Sequence, residues 1–142
     1  MKLSTIAGLA LAALIFPQQT ARAEDMTVGG RYLPQVVASS KPHREALEKL
    51  IKGKPGIPNW VRNMITRDRY VALASVLLPV DGKPRERFDA CEPKNCSGSR
   101  IVILYSPDGK YAVMAISDEK RGEILLGSPD AAERQILVAP PQ

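Results

Sequence analysis

The two cysteines of this chain lie close together and are the first residues whose spacing could do chemistry. Residues 91–96 read CEPKNC, so Cys91 and Cys96 enclose an acid, a proline, a base and an amide. Such a pair could form a redox site, a metal site or a structural disulfide. Because none of the enclosed side chains would fill a core, we expect the segment to lie at the surface.

The spacing of the cysteines favours the disulfide. Redox sites of the thioredoxin type use a Cys-x-x-Cys motif at a helix N-terminus, whereas four residues intervene here, Pro93 among them, and no helix signal follows. A structural zinc site needs about four ligands. The chain offers two cysteines and one histidine, His43, which belongs to another predicted element. We therefore predict a Cys91–Cys96 disulfide and no metal site.

Other catalytic patterns do not accompany the cysteines. The sequence has no H-E-x-x-H motif, no Gly-rich phosphate loop and no Ser/His/Asp arrangement. His43 falls in the first turn of a predicted helix, where we expect it to be exposed. Asp89 and Glu92 could be imagined as an acid pair, but Asp89 lies on an alternating strand, where we expect it to be solvated. We predict a protein that is not an enzyme and needs no cofactor.

The N-terminal segment indicates export. Met1-Lys2 precedes an uncharged run at 3–16, and a polar stretch then ends in Ala21-Arg22-Ala23. This order is typical of a secretory signal peptide, and the run is shorter than the roughly 20 residues that span a bilayer. The alternatives are an uncleaved anchor or a core helix. We predict a signal peptide at 1–23 and, at 24–142, a single periplasmic domain without a membrane span, where cysteine pairs are normally oxidised.

The charge of the chain is mild and scattered. The formal net charge is +5, and it falls by two when Lys2 and Arg22 leave with the signal peptide. The densest basic stretch, residues 83–87, has no interleaved aromatic residue. Such a stretch is a weak footprint for nucleic acid, so we expect no nucleic-acid partner.

Helices are predicted on either side of a strand-rich middle. Ser40 as N-cap and Pro42 in the first turn predict a helix at about 41–52, after a loosely ordered segment at 24–38. Ser128 as N-cap predicts a short helix at about 129–136, with a last strand at 136–138 as the alternative. Trp60, the only tryptophan, is predicted to plug the core beside the first helix, with an exposed binding platform as the alternative.

The middle of the chain predicts a sheet. Strands are expected at about 70–80, 85–90, 100–106, 111–116 and 123–126. Asp81-Gly82 and Asp108-Gly109 are hairpin signals. The strand at 100–106 has almost no polar face, which indicates a central strand covered on both sides. The predicted fold is α+β, a mostly antiparallel sheet of four to five strands flanked by an N-terminal and a short C-terminal helix.

The cysteine ring connects two adjacent strands of this sheet, and its conformational rigidity suits binding. A closed ring loses less conformational entropy on docking than a free loop, and Pro93 fixes φ. A ring this short contributes less stability than the roughly 3 kcal/mol estimated for a 15-residue loop. We therefore interpret it as a stiffened finger that holds Glu92, Lys94 and Asn95 outward. The alternative is an ordinary strand connection that is closed by a disulfide and has no binding role.

The pattern Cys-x-Pro-x-Asn-Cys between two strands resembles the loop of the Ivy family of vertebrate lysozyme inhibitors, which reads Cys-Lys-Pro-His-Asn/Asp-Cys. An N-terminal helix, the segment Pro58-Asn59-Trp60-Val61 and the strand that begins Arg100-Ile101 occur in similar order. The resemblance covers most of residues 31–137. It implies an α+β fold and a loop that enters the lysozyme cleft, where the family's histidine contacts the catalytic carboxylates.

The chain departs from the family loop at two positions. The cysteines, Pro93 and Asn95 match, but Glu92 replaces the family's lysine and Lys94 replaces its histidine. The target-binding residues implied by the resemblance are Glu92, Pro93, Lys94 and Asn95. The predicted function is inhibition of a muramidase, either a lysozyme or a lytic transglycosylase. The alternative is an Ivy-like domain that has lost lysozyme binding and contacts another envelope protein or peptidoglycan.

Overall fold

The computed structural model describes residues 27–140, whose strands form one antiparallel sheet. The strands are Thr27–Val28 (β1), Val71–Ala72 (β2), Val76–Val80 (β3), Lys83–Cys91 (β4), Ser99–Tyr105 (β5), Ala112–Asp118 (β6) and Gly122–Leu126 (β7). The helices are Leu33–Ser39 (α1), Lys41–Ile51 (α2), Asn59–Arg62 (α3) and Ala131–Val138 (α4). None of these helices is long and apolar enough to cross a membrane. The predicted signal peptide, 1–23, lies outside the described residues.

The sheet separates two layers of helices. Its order is β1-β3-β4-β5-β6-β7, and β2 pairs with β4 beside β3. Residues of α1, α2 and α3 share the main core cluster with one face of the sheet. Leu137 of α4 packs on the other face, against Val102, Leu104 and Val113. The α+β prediction is therefore confirmed.

Strand β5 is the centre of the sheet, as its apolar sequence predicted. It pairs with β4 on one side and β6 on the other. Ile101, Ile103 and Tyr105 belong to the main core, whereas Val102 and Leu104 face α4. All five residues are buried, so both faces of this strand are covered.

The hairpin between β3 and β4 has the predicted turn. Asp81 and Gly82 have φ values of 50° and 73°, and a type I′ turn needs positive φ at both central residues. The second signal differs, because at 108–109 only Gly109 has positive φ. There Asp108 Oδ1 instead accepts hydrogen bonds from Ser106 Oγ and from the Lys110 N–H. These bonds form a longer loop between β5 and β6.

Two expectations for the N-terminal half are wrong. The segment at 24–38 was expected to be loosely ordered, yet α1 begins at Leu33 with Pro34 in its first turn, a position that proline favours. The strand expected at 70–80 is broken into β2 and β3. The break occurs because the Ser75 backbone bonds to Gly29 and Arg31, each at 2.8 Å, instead of to β4.

The C-terminal helix begins later than expected. Its N-cap is Asp130 rather than Ser128, and residues 136–138 are helical, so the alternative of a last strand is wrong. Asp130 Oδ1 accepts from the Glu133 N–H, and Glu133 Oε2 accepts from the Asp130 N–H. This capping box overrides the Ser-Pro signal. The buried Glu133 carboxylate also accepts from Arg85 at 2.9 Å and from the Tyr111 hydroxyl at 2.7 Å.

The expectation that His43 is exposed is also wrong. Its side chain is buried because this side of α2 faces the sheet. The centroids of the His43 and Tyr105 rings are 4.8 Å apart. Nδ1 lies 2.6 Å from Ser40 Oγ, and Nε2 has no hydrogen-bond partner among residues 27–140. Burial, aided by the charge of Arg31, lowers the pKa of His43, against weaker opposing effects of Glu86 and Asp108.

We therefore expect the protein to lose stability as the pH falls below about 6.5. The folded state keeps His43 neutral, whereas the unfolded chain binds a proton near the ordinary pKa of 6.5, so acid favours unfolding. His43 is the only histidine, and no other side-chain type has its ordinary pKa between 5.5 and 7. Urea unfolding at several pH values would measure the loss, and His43→Gln should flatten the curve in this window. Equal parent stability at pH 5.5 and 7 would contradict the expectation.

Candidate functional site

The cysteine ring joins the two strands at the centre of the sheet. Cys91 is the last residue of β4, Ser99 is the first of β5, and a disulfide links Cys91 to Cys96 with their Cα atoms 4.9 Å apart. The predicted disulfide is therefore confirmed. Disulfides persist in oxidising compartments, so this bond fits an exported protein.

The tip of the ring is a tight turn that exposes Pro93 and Lys94. The Asn95 N–H donates to the Glu92 carbonyl at 3.0 Å, and Lys94 has a φ of 64°. Proline at the second position and positive φ at the third are the pattern of a type II turn. Positive φ is costly for a lysine. Within residues 27–140 the only other non-glycine residue with positive φ is Asp81.

The sequence suggested that Glu92 and Asn95 are held outward, but neither side chain is fully exposed. Each is half-buried, and the Asn95 side-chain amide donates to Glu92 Oε2 at 2.8 Å. The turn brings the two side chains together, so their polar groups satisfy each other across the ring. Lys94, in contrast, is exposed and forms no ion pair with any described residue.

The base of the ring is held by backbone hydrogen bonds. The Glu92 N–H donates to the Ser99 carbonyl at 3.0 Å, and the Ser99 N–H donates to the Asn95 carbonyl at 2.9 Å. The Glu119 N–H, beyond β6, donates to the Gly98 carbonyl at 2.8 Å. These bonds continue the sheet into the ring, which limits its motion relative to the core.

Ser99 connects the base of the ring to two other elements. Its hydroxyl donates to Asp118 Oδ2 and accepts from the Trp60 indole N–H, both at 2.8 Å. The bond from Ser99 lowers the pKa of Asp118. Trp60 is half-buried and packs against the main core, 6.4 Å between ring centroids from Tyr70. The prediction of a core plug is therefore met only in part, because the side chain lies at the edge of the core, where its indole also supports the ring. No local signal in the sequence marked Ser99 or Asp118 for this role.

An apolar groove lies beside the ring, and the sequence did not indicate it. It has a volume of about 200 Å³ and is lined by Val71, Leu73, the disulfide, Arg100 and Asp89. Val71 and Leu73 are 43% and 46% exposed. We call this feature the side groove. It was missed because the register that places Val71 beside Cys91 and Arg100 cannot be predicted from the local sequence.

The alternating strand had suggested that Asp89 is solvated, and this expectation is wrong. Its carboxylate accepts two hydrogen bonds at 2.8 Å from the buried guanidinium of Arg87. Because Asp89 is bound to Arg87 and Glu92 to Asn95, the two acids do not act together. Among residues 27–140, no group of three metal-ligating side chains converges.

The site therefore consists of a rigid ring with one exposed ammonium at its tip and an apolar groove at its side. A projecting, preorganised loop suits insertion into a partner. In comparisons with known proteins, no family model matches the chain and no curated protein is significantly similar to it.

Proposed function

We propose that this protein is an exported, periplasmic inhibitor of a muramidase and that it places the Cys91–Cys96 ring in the enzyme's active-site cleft. The observation that carries the proposal is the position of Lys94. It is an exposed cation at the tip of a strained turn, on a loop closed by a disulfide. The loop is bonded to Ser99, which in turn bonds to Trp60 and Asp118. The resemblance of the ring to the Ivy loop supports the same role.

The charge at the tip suits a glycosidase cleft. Such clefts hold a pair of Asp or Glu side chains, at least one of them ionised, and the Lys94 ammonium has no carboxylate partner among residues 27–140. The negative charge of Glu92 is turned toward the Asn95 amide. This internal bond reduces the repulsion that Glu92 would otherwise exert on the cleft.

The rigidity of the ring suits inhibition as well. A loop that is already ordered loses little entropy when it enters a cleft, so more of its contact energy is expressed as affinity. The disulfide, Pro93 and the bonds to Ser99 together hold the ring before binding. A loop without hydrolysable substrate groups can then occupy the cleft without being turned over.

A second candidate follows from Lys94 itself. An ammonium is a flexible, strongly hydrated point charge, whereas the imidazole at this position of the Ivy loop is rigid and has two directional nitrogens. This difference favours a related domain that has lost lysozyme inhibition and contacts another envelope protein or peptidoglycan.

A panel of muramidases separates the two candidates. We expect the purified protein to inhibit hydrolysis of bacterial cell walls by at least one of a vertebrate-type lysozyme, a goose-type lysozyme and a lytic transglycosylase. Because the ring is proposed to occupy the cleft, a chito-oligosaccharide should compete with the protein for the enzyme. A protein that binds none of these enzymes, or binds without competition by the oligosaccharide, would overturn the proposal. Pull-down on purified peptidoglycan tests the second candidate.

A further inference from the structure

The side groove lies on the same face of the sheet as α4, beyond the part that α4 covers. Val71, Cys91 and Arg100 are directly paired across β2, β4 and β5, so their side chains share one face. Val102, two residues after Arg100, is on this face too and packs against Leu137 of α4. The helix has eight residues and spans only about 12 Å, so the end of this face nearest the ring stays open.

The groove cannot be separated from the ring. Cys91 and Cys96 line the groove and also close the ring. Neighbouring strands lie about 4.8 Å apart, which places the backbone at Val71 and at Arg100 one strand away from Cys91 on either side. A partner that encloses the ring down to its disulfide therefore also covers the groove.

The ring alone is too small for a stable complex. Specific interfaces bury roughly 800 Å² per partner and involve about 20–30 residues on each side. The ring has six residues, of which Cys91, Glu92 and Asn95 are only partly exposed. A stable complex must therefore use neighbouring surface, and the groove supplies two exposed aliphatic side chains beside the ring.

The groove also carries a positive charge that suits a carboxylate. Arg100 is half-exposed and forms no ion pair with any residue in the described part of the chain. The acidic residue in the groove, Asp89, is already bound by Arg87 through two hydrogen bonds. Arginine can bind a carboxylate through two parallel hydrogen bonds, so Arg100 is available to an acidic residue of the partner.

We propose that the side groove is a second contact site for the muramidase, occupied by the lip of the cleft that receives the ring. The lip places an apolar side chain against Val71 and Leu73 and a carboxylate on Arg100. This inference rests on the proposed function. It adds that specificity among muramidases depends on the lip beside the cleft as well as on the catalytic carboxylates.

Matched substitutions test the groove separately from the ring. Leu73→Ser and Arg100→Gln should each raise the dissociation constant for the most tightly bound muramidase of the panel by about tenfold. Leu125→Ser is the control, because Leu125 is 38% exposed but lies on β7 at the far edge of the sheet, and it should change the constant less than twofold. Calorimetric titration measures binding, and thermal unfolding of each variant checks the fold.

The outcomes distinguish the groove from the proposed function. Weaker binding by Leu73→Ser and Arg100→Gln, with unchanged binding by Leu125→Ser, supports the groove. If both groove variants bind like the parent while Lys94→Ala is weakened, the groove inference is wrong and the proposed function stands. If the groove variants are weakened and Lys94→Ala is not, the groove stands and the ring does not engage the carboxylates. A parent that binds no muramidase overturns both proposals.

Discussion

Replacing Arg87 with alanine is expected to lower the free energy of unfolding by about 3–5 kcal/mol, which is the usual effect of removing one partner of a buried ion pair. The Arg87 side chain is 3% exposed and that of Asp89 is 14% exposed. The guanidinium binds both Asp89 oxygens at 2.8 Å. Without it, the Asp89 carboxylate would remain largely buried without its cation.

Arg87 also holds the end of α4. Its guanidinium donates to the carbonyls of Ile136, Ala139 and Pro140 at 3.0–3.2 Å. The last carbonyls of a helix lack intrahelical partners, and a cation at this end interacts favourably with the helix dipole. The substitution should therefore loosen the segment that covers the second face of the sheet, in addition to leaving Asp89 unpaired.

Urea unfolding at neutral pH measures the effect of Arg87→Ala. Lys83→Ala is a matched control, because Lys83 forms an exposed ion pair with Asp130 at 3.4 Å, and exposed pairs contribute about 0–1 kcal/mol. The double variant Arg87→Met/Asp89→Asn, which removes both buried charges, should recover part of the loss. It also allows a measurement if Arg87→Ala does not fold. A loss below about 1 kcal/mol for Arg87→Ala would contradict the expectation.

The elements that local chemistry determines could be predicted from the sequence. Asp81-Gly82 specifies its hairpin because both residues must adopt positive φ. The helix predicted at 41–52 is observed at Lys41–Ile51, with Ser40 at the N-cap position. The central position of β5 followed from its apolar sequence, since a strand buried on both faces has no polar face.

The elements that long-range contacts determine could not be predicted. The break between β2 and β3 depends on bonds from Ser75 to Gly29 and Arg31, more than 40 residues away. His43 looked like a first-turn surface residue, but the sheet against which it is buried is formed much later in the chain. In both cases the deciding partner is not a sequence neighbour, so local periodicity has no information about it.

The same division applies to the candidate site. The ring and its disulfide were visible as a short motif, and their surface position followed from their polar composition. The Glu92–Asn95 bond and the side groove were not visible. The bond depends on the turn geometry at Lys94, and the groove depends on the register that places Val71 beside Cys91 and Arg100.

If the protein inhibits a muramidase as proposed, replacing Lys94 with alanine is expected to raise the dissociation constant for that enzyme by at least about tenfold. Within the ring, Lys94 is the exposed charged residue, and its ammonium forms no ion pair with any residue in 27–140. Truncating one partner of a desolvated charge pair typically costs about 2–5 kcal/mol, which is roughly 30-fold to several thousand-fold in affinity. Calorimetric titration against the best enzyme of the panel measures the change.

Matched variants assign this effect to the ammonium. Lys94→Gln keeps much of the side-chain length but removes the charge, so it should bind as weakly as Lys94→Ala. Lys110→Ala removes an exposed lysine from the loop at the opposite end of β5 and should change the dissociation constant less than twofold. Glu92→Gln can still accept from the Asn95 amide and should be neutral or improve binding.

Lys94→His tests the resemblance to the Ivy loop. Histidine is among the residues that adopt positive φ more readily, so the turn should be preserved. We expect affinity for a vertebrate-type lysozyme to be kept or increased, because the imidazole offers directional hydrogen bonds and is less strongly hydrated than an ammonium. If Lys94→Ala binds as well as the parent, the ring does not meet the carboxylates. The binding face would then lie in the side groove or around Trp60, whose indole N–H donates to Ser99 at the base of the ring.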